Sequence, residues 1–137
     1  LVRSRGLGDV YKRQLYYRAK AYTKQKADKK AMEDYRELAK DTRNPYGAEA
    51  KYQVAQSLYD AKEYAAAEKE LLNYIEQSTP HAYWLARSFI LLSDVYHATG
   101  KDLDARQYLL SLQQNYQGND DIESMIESRL SKLKVEN

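Results

Sequence analysis

The feature that most constrains the fold is a pattern that returns three times along the chain. Aromatic and apolar segments open the three units, at 16–22, 52–59 and 90–96. Each is followed by a short polar turn and a second amphipathic run, whose small residues are Ala31, Ala67 and Ala105. Four positions later each run has a larger residue, namely Tyr35, Leu71 and Leu109. A pattern that recurs every ~20 to 50 residues indicates stacked supersecondary units, so we expect a repeat architecture.

Apolar residues in these runs recur at intervals of three and four positions, which places them on one face of an α-helix. In the last unit they are Ala105, Tyr108, Leu109, Leu112 and Tyr116. Asn44-Pro45 and Thr79-Pro80 are expected to end second helices, and Gly100 to supply the left-handed residue that closes a first helix. The sequence therefore predicts an all-α chain of three antiparallel helix pairs, at about 15–43, 46–79 and 81–117.

A single apolar stripe follows the third pair and consists of Ile122, Met125, Ile126, Leu130 and Leu133. The polar run before it offers an N-cap, from Asn119, Asp120 or Asp121. Stacked helix pairs need a terminal element that covers the last apolar face. We therefore predict a C-terminal capping helix over 120–134.

These residues resemble the tetratricopeptide repeat (TPR) family, whose repeat of about 34 residues has small residues at its eighth and twentieth positions. The eighth position is matched by Ala19, Ala55 and Ser93. The twentieth is matched by Ala31, Ala67 and Ala105, although these lie 36 and 38 residues apart. Tyr74 and Leu112 stand where the family prefers alanine. The resemblance is best over 48–80 and implies a TPR-like solenoid over 15–134, with an unrelated bundle of helical hairpins as the alternative.

The first fourteen residues have a different character. The eleven residues 4–14 resemble the translation of a transposase-type sequencing adapter, codon by codon. Expression scars and similar foreign segments have to be excluded from reasoning about the fold. We expect residues 1–14 to be such an artefact without function, and the rest to be a C-terminal fragment of a longer bacterial TPR protein.

The charge of the chain bears on its partners. It has 22 basic and 20 acidic residues, and removing residues 1–14 leaves 18 and 19. A basic excess that would favour nucleic acid is therefore not expected. No stretch of eighteen apolar residues occurs, so no membrane span is predicted in this fragment. The absence of cysteine fits the cytoplasm as well as the bacterial periplasm, and the resemblance favours the periplasm or cell envelope.

Motifs that carry chemistry are missing from the sequence. The two histidines, His81 and His97, lie sixteen residues apart, which is not the spacing of metal ligands on one helix. Glu68 and Glu70 are expected on a solvated helix face, where a catalytic role has little physical support. We therefore predict no enzyme activity, no cofactor and no metal site, although an enzyme is kept as the third functional class.

A binding surface is implied by the resemblance alone. In TPR proteins the first helix of each pair lines a concave groove. The matching positions here, beside Glu49, are Tyr16, Tyr17, Lys20, Tyr52, Gln53, Gln56, Tyr59, Arg87, Asp94 and His97. Aromatic rings and amides in such a strip suit the recognition of a peptide. The carboxylate clamp of some family members is not expected, because Tyr16 and Gln53 stand where that clamp has other residues.

The resemblance thus predicts a non-catalytic scaffold that binds a peptide or protein segment in the groove. Side chains of the groove are expected to contribute little to stability. The alternative is a purely structural C-terminal end of a longer array whose binding surface lies upstream.

Overall fold

The computed structural model describes residues 2–133, with side chains from residue 8 onward, and no strand occurs in this range. The described part of the chain is all-α, as predicted. Its elements are α1 (Val2–Lys24), α2 (Asp28–Leu38), α3 (Pro45–Asp60), α4 (Tyr64–Glu76), α5 (Ala82–Ala98), α6 (Asp102–Asn115) and α7 (Ile122–Leu130). The capping helix predicted over 120–134 is shorter, from Ile122 to Leu130, and residue 134 lies outside the described residues.

Each helix packs against the next one in sequence. The odd-numbered helices also contact one another in succession, α1 with α3, α3 with α5, and α5 with α7. In the part of the chain that the structure describes, α2, α4 and α6 make no such contacts among themselves. The helices α1, α3, α5 and α7 therefore form a row, which is called the odd-helix row below.

The turns that join α1 to α2, α3 to α4 and α5 to α6 have the same backbone geometry. Their left-handed residues are Lys26, Lys62 and Gly100, with φ of 60°, 62° and 78°. The next residue of each turn donates its N–H to a carbonyl oxygen five positions earlier, at 2.8, 2.9 and 2.8 Å. This is the Schellman closure of a helix C-terminus. The prediction that Gly100 closes a first helix is confirmed.

Small residues lie where the helices meet. The two predicted sets of small residues are buried, namely Ala19, Ala55 and Ser93 in the first helices and Ala31, Ala67 and Ala105 in the second. A second apolar cluster joins α5 and α6 to α7 through six buried residues, Ala86, Ile90, Leu109, Leu112, Ile122 and Ile126. The apolar stripe predicted for the last helix thus packs onto the preceding pair.

The expectation about Asn44-Pro45 was wrong, whereas the polar run 119–121 does contain the N-cap of α7. Asn44-Pro45 does not end α2, which stops at Leu38, but begins α3. The Asn44 Oδ1 accepts the N–H of Tyr46 at 2.9 Å, and Pro45 occupies the first helical position, where no donor is needed. Asp121, at the N-cap of α7, makes no side-chain capping bond. Instead Asp120 Oδ1 accepts the Ile122 N–H at 3.0 Å.

The described part of the predicted artefact segment, residues 2–14, lies within α1. Val10 and Tyr11 are more than half exposed, and Leu15 is the first buried residue among those with described side chains. Lys12 Nζ lies 2.7 Å from Asp41 Oδ2. This ion pair links the segment to the loop after α2.

Candidate functional site

The ten predicted groove residues lie on α1, α3 and α5, three helices of the odd-helix row. The structure does not gather them into one cluster. Side-chain contacts place eight of them in a group between α1 and α3, a group between α3 and α5, and two residues of α5 that have partners of their own, while Tyr59 contacts Tyr64 of α4.

The group between α1 and α3 is built around Glu49. Its carboxylate accepts the Tyr16 hydroxyl at 2.7 Å and lies 3.2 Å from Lys20 Nζ. Lys20 also stands 4.9 Å from the centre of the Tyr16 ring. Burial opposes the charge of Lys20, but the hydrogen bonds with Tyr16 and Glu49 outweigh it and raise the pKa of Lys20. The predicted pair Tyr16 and Lys20 is thus tied to α3 through a buried carboxylate.

The group between α3 and α5 is built around Arg87. Its Nη2 donates to the Tyr52 hydroxyl at 3.0 Å, and its Nη1 donates to the Tyr83 hydroxyl at 2.9 Å. The guanidinium carbon lies 4.9, 5.7 and 5.8 Å from the ring centres of Tyr52, Tyr83 and Trp84. Rings at these distances attract a cation through their quadrupoles. Arg87 therefore joins two helices by hydrogen bonds and cation–π contacts together.

Further hydrogen bonds extend this group in both directions. On α3 the Tyr52 hydroxyl donates to Gln56 Oε1, and Gln56 Nε2 donates to Asp60 Oδ1, each at 2.9 Å. On α5 the Tyr83 hydroxyl donates to Asp121 Oδ1 at 3.0 Å, just before α7 begins. Tyr83, Trp84 and Asp121 were not predicted. Tyr83 stands four residues before Arg87 on one helix, and this spacing is the signal that could have found it.

Asp94 and His97 have partners of their own. Asp94 pairs with Arg129 of α7, its Oδ1 lying 3.2 Å from Nε. Burial raises the pKa of the Asp94 carboxyl, and Arg129 acts in the opposite direction. His97 is exposed, and its Nδ1 lies 2.9 Å from Asp102 Oδ1. The closest partners of these two residues therefore lie in α6 and α7, although the Asp94 charge also acts on the hydroxyls of Tyr52 and Tyr59.

Exposure separates the aromatic residues of the predicted groove. Tyr52 is 5% exposed, so its ring belongs to the core, whereas Tyr17 is 56% exposed. Tyr59 is half-buried, with its ring centre 5.6 Å from that of Tyr64. Gln53, Gln56 and Arg87 are likewise half-buried. Among the predicted residues of α3 and α5, the surface that remains for a partner is thus formed by exposed His97 and by the edges of Tyr59, Gln53, Gln56 and Arg87.

The carboxylates expected on a solvated face are instead engaged and half-buried. Glu68 Oε2 accepts the Tyr96 hydroxyl at 2.9 Å, and Glu70 Oε2 lies 2.8 Å from Lys51 Nζ. That expectation was wrong because both side chains reach a neighbouring helix. Over residues 2–133 no three histidine, aspartate or glutamate side chains gather as a metal site would require.

No described helix combines the length and apolarity that crossing a bilayer requires. Comparison with known proteins supplies no family, since no protein-family model matches the chain and no curated protein matches it.

Proposed function

We propose that the chain is part of a TPR-like solenoid and acts as a non-catalytic scaffold that binds a peptide or protein segment along the odd-helix row. Three features support the repeat. The three turns share one hydrogen-bond pattern, small residues are buried at equivalent positions, and the odd-numbered helices contact one another in succession. On the resemblance alone we extend the proposal to a protein of the bacterial periplasm or cell envelope.

The observation that carries the binding proposal is the rigid support beneath the half-buried residues of α3 and α5. Gln56 is held by hydrogen bonds to Tyr52 and Asp60, and Arg87 is held by two phenol oxygens and three rings. Side chains that are fixed before a partner arrives lose less conformational entropy on binding. An aromatic residue and an arginine are also the side chains that most often dominate the energy of an interface.

A second candidate, a purely structural end piece, is favoured by a different observation. The ion pair between Asp94 and Arg129 and the hydrogen bond from Tyr83 to Asp121 bind the last helix and its preceding loop to α5. Polar side chains at the predicted groove thus bond to other parts of the same protein instead of facing a partner. Under this alternative the fragment stabilises the end of an array, and partners bind upstream.

A site-specific crosslinking experiment on the full-length protein in its native cells distinguishes the binding scaffold from the structural end piece. A photo-reactive phenylalanine analogue replaces Tyr59 on the odd-helix row, or Lys29 on the exposed face of α2 as the matched control. Crosslinks to one partner from position 59, without the same product from position 29, support the groove. Equal products from both positions contradict it.

Once crosslinking has identified the partner, its affinity for variants of the protein tests the same surface. Truncation of an interface anchor often costs about 2 kcal/mol, which corresponds to a loss of roughly thirtyfold in affinity. We expect Tyr59→Ser to weaken binding to this extent while thermal melting still reports a folded protein. If Tyr59→Ser and Gln53→Ala both leave the affinity unchanged, partners bind upstream, and the structural role remains for this chain.

A further inference from the structure

A furrow runs along the side of the molecule formed by α2 and α4, away from the residues of the Tyr52–Arg87 group. The helices α2 and α4 do not contact each other in the described chain, and both pack on α3. Two adjoining cavities lie between them and share the lining residues Arg36, Lys51, Glu70 and Asn73. Because they share these residues, the two cavities form one continuous furrow.

The lining residues follow the helical repeat on all three elements. The floor is one stripe of α3, formed by Lys51, Val54 and Leu58. One wall is formed by Arg36 of α2 and by Ala39 and Lys40, which follow the end of that helix. The other wall is one face of α4, formed by Ala66, Lys69, Glu70 and Asn73, and it continues to Gln77 at the C-cap of that helix. A regular groove of this kind is a consequence of how the helices pack rather than of an irregular loop.

Most of the charged side chains that line the furrow are basic. Four of its lining residues are basic, namely Arg36, Lys40, Lys51 and Lys69, and one is acidic, Glu70. Lys51 Nζ lies 2.8 Å from Glu70 Oε2, and Lys40 Nζ lies 3.0 Å from Glu37 Oε1. Arg36 and Lys69 form no ion pair with any residue whose side chain the structure describes. Two exposed cations therefore line one cavity from opposite walls, and the carboxylate that lines it with them, that of Glu70, is paired with Lys51.

The size of the furrow limits what it can hold. The wall from Ala66 to Gln77 spans eleven helical steps, which is about 16 Å at ~1.5 Å per step. An extended polypeptide of about five residues covers this length at ~3.3 Å per residue. No aromatic ring lines the furrow, and ring stacking is the usual way in which proteins hold the bases of single-stranded nucleic acid. The furrow therefore fits a short polypeptide better than an oligonucleotide.

From this geometry we propose that the furrow between α2 and α4 is a second binding site, which takes an acidic polypeptide segment in extended conformation. Arg36 and Lys69 bind its carboxylates from the two walls, and the amides of Asn73 and Gln77 lie alongside its backbone. The apolar floor of Val54 and Leu58 accommodates its stem atoms. The site is independent of the surface on the odd-helix row, and either can exist without the other.

The test is an NMR titration of residues 1–137 with three probes of equal length. The probes are acetylated and amidated hexaglutamate, the same peptide of glutamine, and hexathymidylate. We expect hexaglutamate to shift backbone amide signals of residues 36–40 and 66–77, with an affinity that falls as salt increases. The glutamine peptide should leave these signals unchanged.

Charge reversal supplies the control. Arg36→Glu with Lys69→Glu should weaken hexaglutamate binding at least about tenfold, since two attractions become repulsions. Lys29→Glu with Lys132→Glu changes the net charge equally at exposed positions outside the furrow, and it should leave binding within about twofold because screening limits distant charges. Circular dichroism melts check that both variants fold. The proposal is overturned by absent binding, by equal weakening in both variants, by stronger binding of hexathymidylate, or by shifts confined to the odd-helix row.

Discussion

The Arg87 guanidinium donates to the Tyr52 hydroxyl at 3.0 Å and lies 4.9 Å from the centre of the same ring. Tyr52 is 5% exposed, so this contact joins α3 to α5 from within the protein. We had expected groove side chains to contribute little to stability. For Tyr52 that expectation conflicts with its burial, because a buried ring with a bonded hydroxyl contributes both apolar area and a hydrogen bond.

The first prediction concerns this pair. Tyr52→Phe keeps the ring and removes the hydroxyl bonds to Arg87 and Gln56, so we expect a loss of about 1 to 2 kcal/mol in the free energy of unfolding. Tyr52→Ser should cost about 3 kcal/mol or more, because a buried ring is lost as well. Urea unfolding measures both. Tyr17→Ser is the matched control, since Tyr17 is 56% exposed and its loss should stay within about 0.5 kcal/mol.

A double-mutant cycle isolates the contact from the rest of the site. Tyr52→Phe combined with Arg87→Leu should show a coupling energy of about 0.5 to 3 kcal/mol, as residues in direct contact usually do. Additive effects would mean that the two residues stabilise the protein separately.

Much of the fold could be predicted because it depends on local pattern. The helical periodicity placed Ala67 and Ala105 in the core, and Gly100 marked a turn through its backbone freedom. The equivalent turns at Lys26 and Lys62 gave no such signal, since lysine rarely adopts a positive φ. Their conformation follows from the closure of the helix end, which sequence composition does not reveal.

The candidate site was predictable only in part. Family positions identified Tyr52 and Arg87, but not that Tyr52 is buried or that Tyr83 and Asp121 continue its hydrogen bonds. The Tyr52–Arg87 and Tyr83–Asp121 bonds join residues 35 and 38 positions apart, so they depend on how the helices pack, whereas the Tyr83–Arg87 bond follows spacing along one helix. For the same reason Glu68 was assigned to a solvated face although it accepts the hydroxyl of Tyr96.

Substitution of the small residues at the helix crossings tests the packing. Ala67 and Ala105 are both 0% exposed, so replacing either with leucine should overpack the core and cost about 1 to 3 kcal/mol. Thermal or urea unfolding provides the measurement. Lys69→Leu is the better control than a change at Glu68, because Lys69 is exposed, and it should stay within about 0.5 kcal/mol. An Ala67→Leu protein of parental stability would argue against close packing at this crossing.

Substitutions at two of the three equivalent turns should change the free energy of unfolding in opposite directions. Gly100→Ala places a side chain at φ of 78° and should cost about 1 kcal/mol. Lys62→Gly relieves the same strain at φ of 62° and should stabilise by up to about 1 kcal/mol. Chemical unfolding of the two variants side by side checks the signs. A loss of stability in Lys62→Gly would show that the lysine side chain compensates for its backbone conformation.

The titration of Asp94 is predicted to be displaced upward. Burial raises the pKa of its carboxyl above the ordinary 3.8, so the folded protein binds this proton more tightly than the unfolded chain. The corresponding stability is present below pH 3.8 and is lost as pH rises through the higher folded pKa. Carbon-detected NMR of the carboxyl should show the raised midpoint, and Arg129→Gln should raise it further by removing the opposing charge. A midpoint at or below 3.8 in the parent protein contradicts the prediction.

The last prediction locates the start of the folded unit between residues 14 and 15. In the segment 8–14 only Lys12 reaches another element, through an ion pair with Asp41 whose side chains are 30% and 45% exposed. Such a pair is worth about 1 kcal/mol at most, so deleting residues 1–14 should lower the melting temperature by no more than a few degrees. Lys12→Ala in the full chain should reproduce most of that change. Leu15 is 4% exposed, and Leu15→Ala should cost about 2 kcal/mol or more because it opens a cavity beside α2 and α3. Calorimetry of the three variants measures the contribution of residues 1–14 to stability. A deletion that destabilises the protein more than Leu15→Ala does would show that the segment is an integral part of the packed structure.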